Sequence, residues 1–241
     1  MLRPRETSIR ETDIRETHIH IDPAARNEPI NDLQQDHRFQ RLLTAEDWAG
    51  LPIAVQRRFS TKARNGASIL YRGVTTRLRC TALGVLLANA ARIIGAPLPL
   101  DRAGEGRAAM VAVTEDPCSD GQIWTRIYGR DSGFPQMINS VKRFTGETGL
   151  EENVGGGVCM SLALSVEDGA LAFSSVDYFC SVFGRRLRVP RWMRPGDMRI
   201  VHRDRGDGGF AFELTLRHPL LGVLVEQTTI FHDMEEARHD H

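Results

Sequence analysis

The stretch VCMSLALSVEDGALAFSSVDYFCSVF, residues 158–183, decides the fold class of this chain. Apolar side chains alternate with small ones over residues 158–166, which is the period of two expected for a β-strand. Asp168-Gly169 is a dipeptide typical of the tight turn in a hairpin. Residues 171–183 then return as a second long strand, so the stretch predicts an antiparallel hairpin.

Further strand-like runs lie on both sides of this hairpin, separated by turns rich in glycine and proline. We count seven to nine strands, and no helical pattern lies between the later ones. This succession favours an antiparallel meander. The runs are residues 67–75, 107–115, 122–128, 158–166, 171–183, 198–203, 210–217 and 223–231.

Residues 77–94 have the strongest helical pattern of the chain. One apolar stripe runs along this segment, and the intervening alanines leave little polar face, so the helix should be largely buried. The stripe consists of Leu83, Leu86, Leu87, Ala90 and Ile94. Shorter helices are predicted from Asp32 and around residues 53–59. The predicted fold class is therefore α+β, with the meander forming a curved sheet or half-barrel over one long apolar helix.

Residues 5–19 repeat a pentapeptide of the form Arg-Glu-Thr-x-Ile three times. A period of five gives no apolar face on a helix, and balanced charge with few large apolar groups favours disorder. We expect a disordered arm over residues 1–31, a single β-rich domain over 32–232, and a disordered tail over 233–241.

The composition excludes several classes of function. Lys and Arg together number 31, as do Asp and Glu, so the net charge is zero and nucleic-acid binding is not expected. The four cysteines lack the spacing of a zinc site or a redox pair. No signal peptide or membrane-length apolar run is visible, which favours a soluble, cytoplasmic protein.

No catalytic motif is complete. There is no HExxH or GxSxG sequence, and no histidine lies next to a cysteine. We therefore predict no metal site and no cofactor, and we lean against an enzyme.

The strand at residues 122–128 carries the candidate site, because Trp124, Arg126 and Tyr128 share one of its faces. This face either lines a pocket or is the solvent side, with its arginine paired across strands. Inside a curved sheet it could meet further polar side chains, and a buried carboxylate beside the arginine would have a perturbed pKa. The candidates for these further side chains are Glu147, Tyr178 and Glu226.

The segment FGRRLRVPRWMRP, residues 183–195, concentrates positive charge around an aromatic side chain. It suits a nucleic-acid patch, a membrane-surface tip, or a proline-stiffened loop between strands that can dock on a partner protein. Its candidate interaction surface consists of Arg188, Arg191, Trp192 and Arg194.

Several short pieces occur in a recognisable order. They are Phe39–Leu43, Trp48, Leu51-Pro52, Gly73, Gly95-Ala96-Pro97, Trp124-Thr125-Arg126, Val189–Pro195, Phe210-Ala211-Phe212 and Pro219–Gly222. In this order, over about residues 38–232, the chain resembles a bacterial family known as domain of unknown function 4166. Two features depart from that family: Gly146–Gly149 stands where it tends to carry Glu-Arg-Phe-Gly, and the repeat arm is private to this chain.

The resemblance implies a small β-rich domain that is sometimes fused to nicotinamide-dependent reductases of the saccharopine-dehydrogenase-like type. It implies no established activity and no catalytic residue.

Three functions follow as hypotheses. The favoured one is a soluble module that holds a small apolar ligand or docks on a partner oxidoreductase. The second is an acid–base enzyme that uses Arg126 with Glu147 or Glu226 on a small carbonyl or lipid-like substrate. The third is a peripheral membrane or interaction module that binds through residues 185–194.

Overall fold

A computed structural model describes residues 33–93 and 104–234. The predicted disordered arm, residues 1–31, and most of the predicted tail, residues 233–241, lie outside these ranges. Within them, no helix combines the length and the apolar composition needed to cross a lipid bilayer.

The described chain is dominated by β-strands. The strands are β1 (Leu33–Gln35), β2 (Thr61–Ala63), β3 (Ser68–Cys80), β4 (Ala108–Asp116), β5 (Gly121–Tyr128), β6 (Gln136–Arg143), β7 (Glu151–Gly155), β8 (Val158–Glu167), β9 (Ala170–Val182), β10 (Arg185–Arg188), β11 (Asp197–Asp204), β12 (Gly209–His218) and β13 (Gly222–Asp233). The helices are α1 (Ala45–Ala49), α2 (Ile53–Phe59) and α3 (Ala82–Ile93), with 3-10 helices at Gln40–Leu42 and Arg191–Met193.

Ten of these strands close into an antiparallel barrel, in the order β9-β11-β12-β13-β3-β4-β5-β6-β7-β8 and back to β9. The β8–β9 hairpin is the one predicted from the sequence, with Leu164 opposite Phe173. On its other edge, β9 pairs first with β11 and then, from Phe179 onward, with β10. The β-rich antiparallel prediction is therefore confirmed.

The predicted α+β class, with seven to nine strands in a half-barrel over a long apolar helix, is wrong: the described chain is mostly β, and ten strands close into a barrel. Residues 77–80 continue strand β3, which pairs with β13 from Tyr71 to Cys80 and so joins the first and last strands of the barrel. The helix begins only at Ala82, after Thr81, whose hydroxyl accepts a hydrogen bond from the Gly84 N–H. Helical periodicity found the apolar segment, but it could not show that the sheet closes without that segment inside.

Helix α3 lies against strand β13 instead of forming the core. A side chain at Gly84 would place its Cβ 2.3 Å from the carbonyl oxygen of Leu224, so glycine is what allows this close approach. Leu83 and Leu86 are exposed, although the sequence pattern predicts that they are buried. An apolar helix is therefore not always a core helix, because it can also lie beside an apolar opening.

The meander gives the barrel two different ends. We call the end that contains the β4–β5, β6–β7, β8–β9 and β11–β12 turns the closed end, and the other end, which contains α3, the open end. At the closed end, Phe39 and Phe59 enter the barrel and meet with ring centroids 5.2 Å apart. Both also contact Phe173, at 6.1 and 5.6 Å. The segment that contains α1 and α2 therefore seals this end.

Ion pairs hold the segment that contains α1 and α2 at the closed end. Buried Arg58 on α2 lies 3.2 Å from Asp204 and 3.1 Å from Asp233, which are the last residues of β11 and β13. Arg38 lies 2.7 Å from buried Asp36, and its guanidinium group stacks 4.2 Å from the ring centroid of Phe144. Asp233, assigned to the tail from the sequence, is thus a structural residue of the barrel.

Candidate functional site

The open half of the barrel encloses a cavity of about 580 Å³, which is within the usual size range of small-molecule sites. Its wall is mainly aliphatic, and α3 contributes Leu83, Leu86 and Leu87 to it. The strands contribute Ile138, Val154, Val158, Met160, Met198, Ile200, Leu214, Leu216 and Leu224.

The inward side chains explain why only one half of the barrel is open. In the closed half they are aromatic, and they leave a space of only about 30 Å³. These rings belong to Phe59, Tyr71, Phe173, Phe210, Phe212 and Phe231. In the open half, the cavity wall is mainly valine, leucine, isoleucine and methionine, joined by Tyr128 and Tyr178. A cavity therefore remains where side-chain volume is missing.

A buried group of charged residues lies between the two halves. We call Arg126, Ser140, Lys142 and Glu152 the charge cluster. Arg126 donates from Nη2 to Glu152 Oε1 at 3.3 Å and from Nη1 to Ser140 Oγ at 3.0 Å. Ser140 Oγ donates to the same Glu152 oxygen at 2.5 Å, and Lys142 Nζ lies 3.1 Å from it. The Glu152 carboxylate thus interacts with both Arg126 and Lys142.

Strand alternation brings these side chains together. On β5, residues 122, 124, 126 and 128 point inward, while Ile123 and Ile127 face outward and are half-buried. The register then places Arg126 opposite Ile138 on β6, and Lys142 opposite Glu152 on β7. The cluster therefore spans three neighbouring strands.

The electrostatics of the cluster leave one excess positive charge. Burial raises the pKa of Glu152, but the charges of Lys142 and Arg126 outweigh this effect and lower the pKa to about 2. Burial lowers the pKa of Lys142 to about 8, against the attraction of Glu152 and together with repulsion from Arg126. At neutral pH, two cations and one anion are therefore buried together.

The two cations occupy different positions. Arg126 lines both the large cavity and the small aromatic one, whereas Lys142 lines only the small one. Lys142 Nζ lies 4.7 Å from the ring centroid of Trp124 and 5.9 Å from that of Phe173. A molecule in the large cavity would therefore meet Arg126 directly, with Lys142 behind it.

Within the part of the chain that the structure describes, two buried acceptors of the cavity wall lack a hydrogen-bond partner. They are Glu152 Oε2 and Gln227 Oε1, and both residues line the large cavity. Gln227 uses its amide nitrogen to donate to Thr229 Oγ1 at 3.2 Å. A buried acceptor without a partner is costly, so these oxygens favour a donor group nearby.

The structure brings together some of the predicted site residues and separates others. Arg126, Tyr128 and Tyr178 line the large cavity, and Trp124 lines the small one. Glu147 is exposed in the β6–β7 connection, and Glu226 lies 3.2 Å from Arg77 on an outward face. The carboxylate beside Arg126 is therefore Glu152, not either of the two predicted from the sequence.

Sequence reasoning missed Ser140, Lys142, Glu152 and Gln227. Lys142 had a signal: it is one of only two lysines among 31 basic residues, and both lysines are buried. In a chain that otherwise uses arginine, a retained lysine indicates a position where a compact, deprotonable cation is needed.

The predicted interaction surface divides into paired and free side chains. Arg188 lies 2.5 Å from Asp177, and Arg194 pairs with the same carboxylate. Arg191 and Trp192 are exposed, and no ion pair holds Arg191 among the described residues. The two paired arginines thus anchor the β10–β11 connection against β9.

Comparison with known proteins adds a family but no activity. No curated protein and no solved structure matches the chain. A family model matches residues 51–231, which include the barrel strands β3 to β12 and most of β13. The resemblance inferred from the sequence is confirmed: the chain belongs to the family described as Domain of unknown function (DUF4166).

Proposed function

We propose that this protein binds one amphiphilic molecule inside the barrel, with its apolar part in the large cavity and an acidic head group at Arg126. The observation that carries the proposal is a buried arginine, in a cluster with excess positive charge, on the wall of an otherwise aliphatic cavity. Sites of this kind combine an apolar wall with a few fixed polar groups that orient the ligand.

The charge balance favours an acid over a neutral head group. A carboxylate near Arg126 would give the cluster two anions for two cations, which removes the cost of one uncompensated buried charge. It would also favour the charged form of Lys142, whose pKa of about 8 leaves it partly deprotonated in mildly basic solution. Binding of the acid therefore includes uptake of a fraction of a proton near that pH.

The acceptors without partners indicate which further polar group the ligand should carry near its acid. A hydroxyl group close to the acid can donate to Gln227 Oε1 or Glu152 Oε2, both of which lack a partner. We therefore expect a hydroxy acid to bind more tightly than the plain acid of the same chain length, because it satisfies a buried acceptor.

An acid–base enzyme is less well supported. The partners proposed for Arg126 in that hypothesis, Glu147 and Glu226, do not contact it. The carboxylate that does, Glu152, has a pKa of about 2 and stays ionised, so it is a weak base and a poor proton donor at neutral pH. Docking on a partner oxidoreductase stays a prediction of the family resemblance.

Displacement of a fluorescent fatty-acid analogue by a chain-matched acid, hydroxy acid, alcohol and hydrocarbon tests the proposal. Arg126→Met leaves Lys142 and Glu152 as a balanced pair, so the barrel should still fold. We expect this variant to bind the acid about tenfold more weakly or worse, because an ionic hydrogen bond is lost. The affinity for the alcohol should change little.

The cavity itself is tested by filling it. Ile138→Trp, on the cavity wall, should weaken the binding of all four compounds. Ile127→Trp, on the outward face of β5, should leave their binding unchanged. Equal losses for acid and alcohol in Arg126→Met, or unchanged binding in Ile138→Trp, would contradict the proposal.

A further inference from the structure

Four connections at the open end of the barrel carry large apolar side chains at their tips, whereas the β7–β8 turn there is Gly156-Gly157. Phe134, Phe183, Trp192 and Leu220 are 91%, 102%, 81% and 88% exposed. They come from four separate connections: β5–β6, β9–β10, β10–β11 and β12–β13. We call these four residues the apolar tips. Exposed apolar tips on four separate connections mark an interaction surface.

The closed end provides a control within the same molecule. Its connections are residues 117–120, 144–150, 168–169 and 205–208, and their large apolar residues, Phe144 and Leu150, are half-buried and buried, so no large apolar side chain is exposed there. Both sets of turns connect strands of one barrel, so the requirements of turning the chain cannot explain the difference. The apolar tips are therefore a property of the open end.

Backbone geometry at one tip supports this conclusion. Phe183 has a φ of +48°, a left-handed conformation that bulky residues rarely adopt. The other non-glycine residues with positive φ are Asn65, Asp120 and Asp168, the residue types that tolerate it. A phenylalanine at this turn position is disfavoured locally, and strain of this kind persists mainly at functional positions.

Positive charge surrounds the apolar tips. Arg185, Arg191 and Arg217 are exposed at the open end and have no acidic partner among the described residues. Among the described residues at this end, exposed Asp197 and Glu105 have no ion pair, whereas Asp177 is bound by Arg188 and Arg194. The three arginines without an acidic partner outnumber these two carboxylates, which favours a negatively charged surface.

An apolar path connects this surface with the cavity. Leu86, Met193 and Leu221 line the cavity wall and are also exposed to solvent. A molecule could therefore move between the cavity and whatever covers the open end without its apolar part crossing water.

From these observations, we propose that the open end docks on the surface of an anionic lipid bilayer. The tips are separate points on four connections, not one continuous groove, which suits insertion among lipid head groups better than a matching protein surface. Tryptophan with arginine is also a typical combination at the depth of the head groups. The docking does not depend on the identity of the ligand, so either proposal can fail alone.

Flotation of the full chain with lipid vesicles tests the docking. We expect the protein to float with vesicles of phosphatidylcholine and phosphatidylglycerol, to float less with phosphatidylcholine alone, and to be released by high salt. Trp192→Ser with Leu220→Ser should weaken partitioning by about tenfold or more, because two inserted side chains are lost. Arg185→Glu with Arg191→Glu should weaken it to a similar degree, and only for the anionic vesicles.

Matched variants at the closed end serve as controls. Ile53→Ser removes an exposed apolar side chain there, and Arg41→Glu reverses an exposed charge. Both should float as the wild type does. Because all the altered side chains are exposed, unchanged thermal melting will show that each variant still folds.

Tryptophan fluorescence gives a second measurement. Trp48 is buried and Trp124 is half-buried, so a blue shift on adding anionic vesicles would come from Trp192, and Trp192→Phe should abolish it. Absence of flotation, or equal flotation by the open-end and closed-end variants, overturns the proposal. Self-association that depends on Trp192 while vesicles are ignored also overturns it, and would assign the surface to protein contacts.

Discussion

The two ends of this barrel are built by the same strands, but one end is closely packed and the other contains a cavity. At the closed end, aromatic rings fill the interior, buried ion pairs hold α2, and the turns are polar. At the open end, aliphatic side chains leave a cavity of about 580 Å³, and the connections end in exposed apolar residues. The charge cluster lies at the boundary between the two.

The contrast shows where stability and binding are located. Close packing stabilises a barrel, so the end with full packing should account for most of the unfolding free energy. The cavity lacks that packing. A ligand that fills it can therefore gain the packing free energy when it binds. Variants at the two ends should therefore have very different effects on stability.

The largest expected effect is at the closed end. Phe39→Ala removes a fully buried ring that contacts Phe59, Phe144 and Phe173, and should lower the unfolding free energy by about 4 kcal/mol. Leu86→Ala at the open end should change it by less than about 1 kcal/mol, because that side chain is mostly exposed. Urea denaturation measures both, and equal losses would remove the distinction between the ends.

At the boundary, Glu152→Gln leaves two buried cations without an anion. We expect a loss of about 3 kcal/mol near neutral pH and a smaller loss near pH 9, because removal of Glu152 lowers the pKa of Lys142 further and lets the folded variant release that proton more readily. Denaturant unfolding at both pH values measures this. Glu226→Gln, which alters only the surface pair with Arg77, is the matched control and should change stability little.

The closed end should also set the response to acid. Burial, aided by the charge of Arg58, lowers the pKa of His202 to about 3, against 6.5 in the unfolded chain. The unfolded state therefore binds the proton first, and this stability is present above pH 6.5 and lost as the pH falls toward 3.

His202→Phe tests this linkage. Between neutral pH and about pH 5, the wild type should lose about 2 kcal/mol more than the variant does. Phenylalanine can keep the stacking that His202 makes with Phe210, at a centroid distance of 4.2 Å. Parallel stability curves against pH would show that His202 is not responsible.

A small effect is also expected from a substitution in α3, at the open end. Gly84→Ala forces α3 away from the Leu224 carbonyl and should cost about 1 kcal/mol, since the helix is only loosely attached. Amide hydrogen exchange should quicken in α3 and stay unchanged in the barrel strands. Asn89→Ala, at an exposed position of the same helix, is the control, and equal exchange in both variants would mean that the Gly84 contact does not hold the helix.

The sequence predicts local structure here far better than it predicts closure. The hairpin at residues 158–183 follows from side-chain alternation and an Asp-Gly turn, both of which act over a few residues. Closure depends on β3 pairing with β13 across most of the chain, and an open sheet would show the same alternation. The half-barrel error therefore reflects information that no local pattern contains.

The candidate site was predictable to a similar extent. Alternation correctly groups Trp124, Arg126 and Tyr128 on one face of β5, but it does not tell which face is inward. The outward face carries isoleucines, so hydrophobicity alone would choose the wrong side. Glu152 lies on a strand of only five residues, too short for a clear pattern, and so its pairing with Arg126 was not foreseen.

The ladder between β3 and β13 has a consequence for how the chain folds. Every other pairing of the barrel joins strands that are adjacent or next but one in chain order, so most of the sheet can form from nearer segments of the chain. The barrel edge at β3 must wait for the last strand, which also brings Asp233 to Arg58. During synthesis, the sheet therefore stays open until β13 has left the ribosome, and until then the unpaired edge of β3 can pair with other chains and promote aggregation.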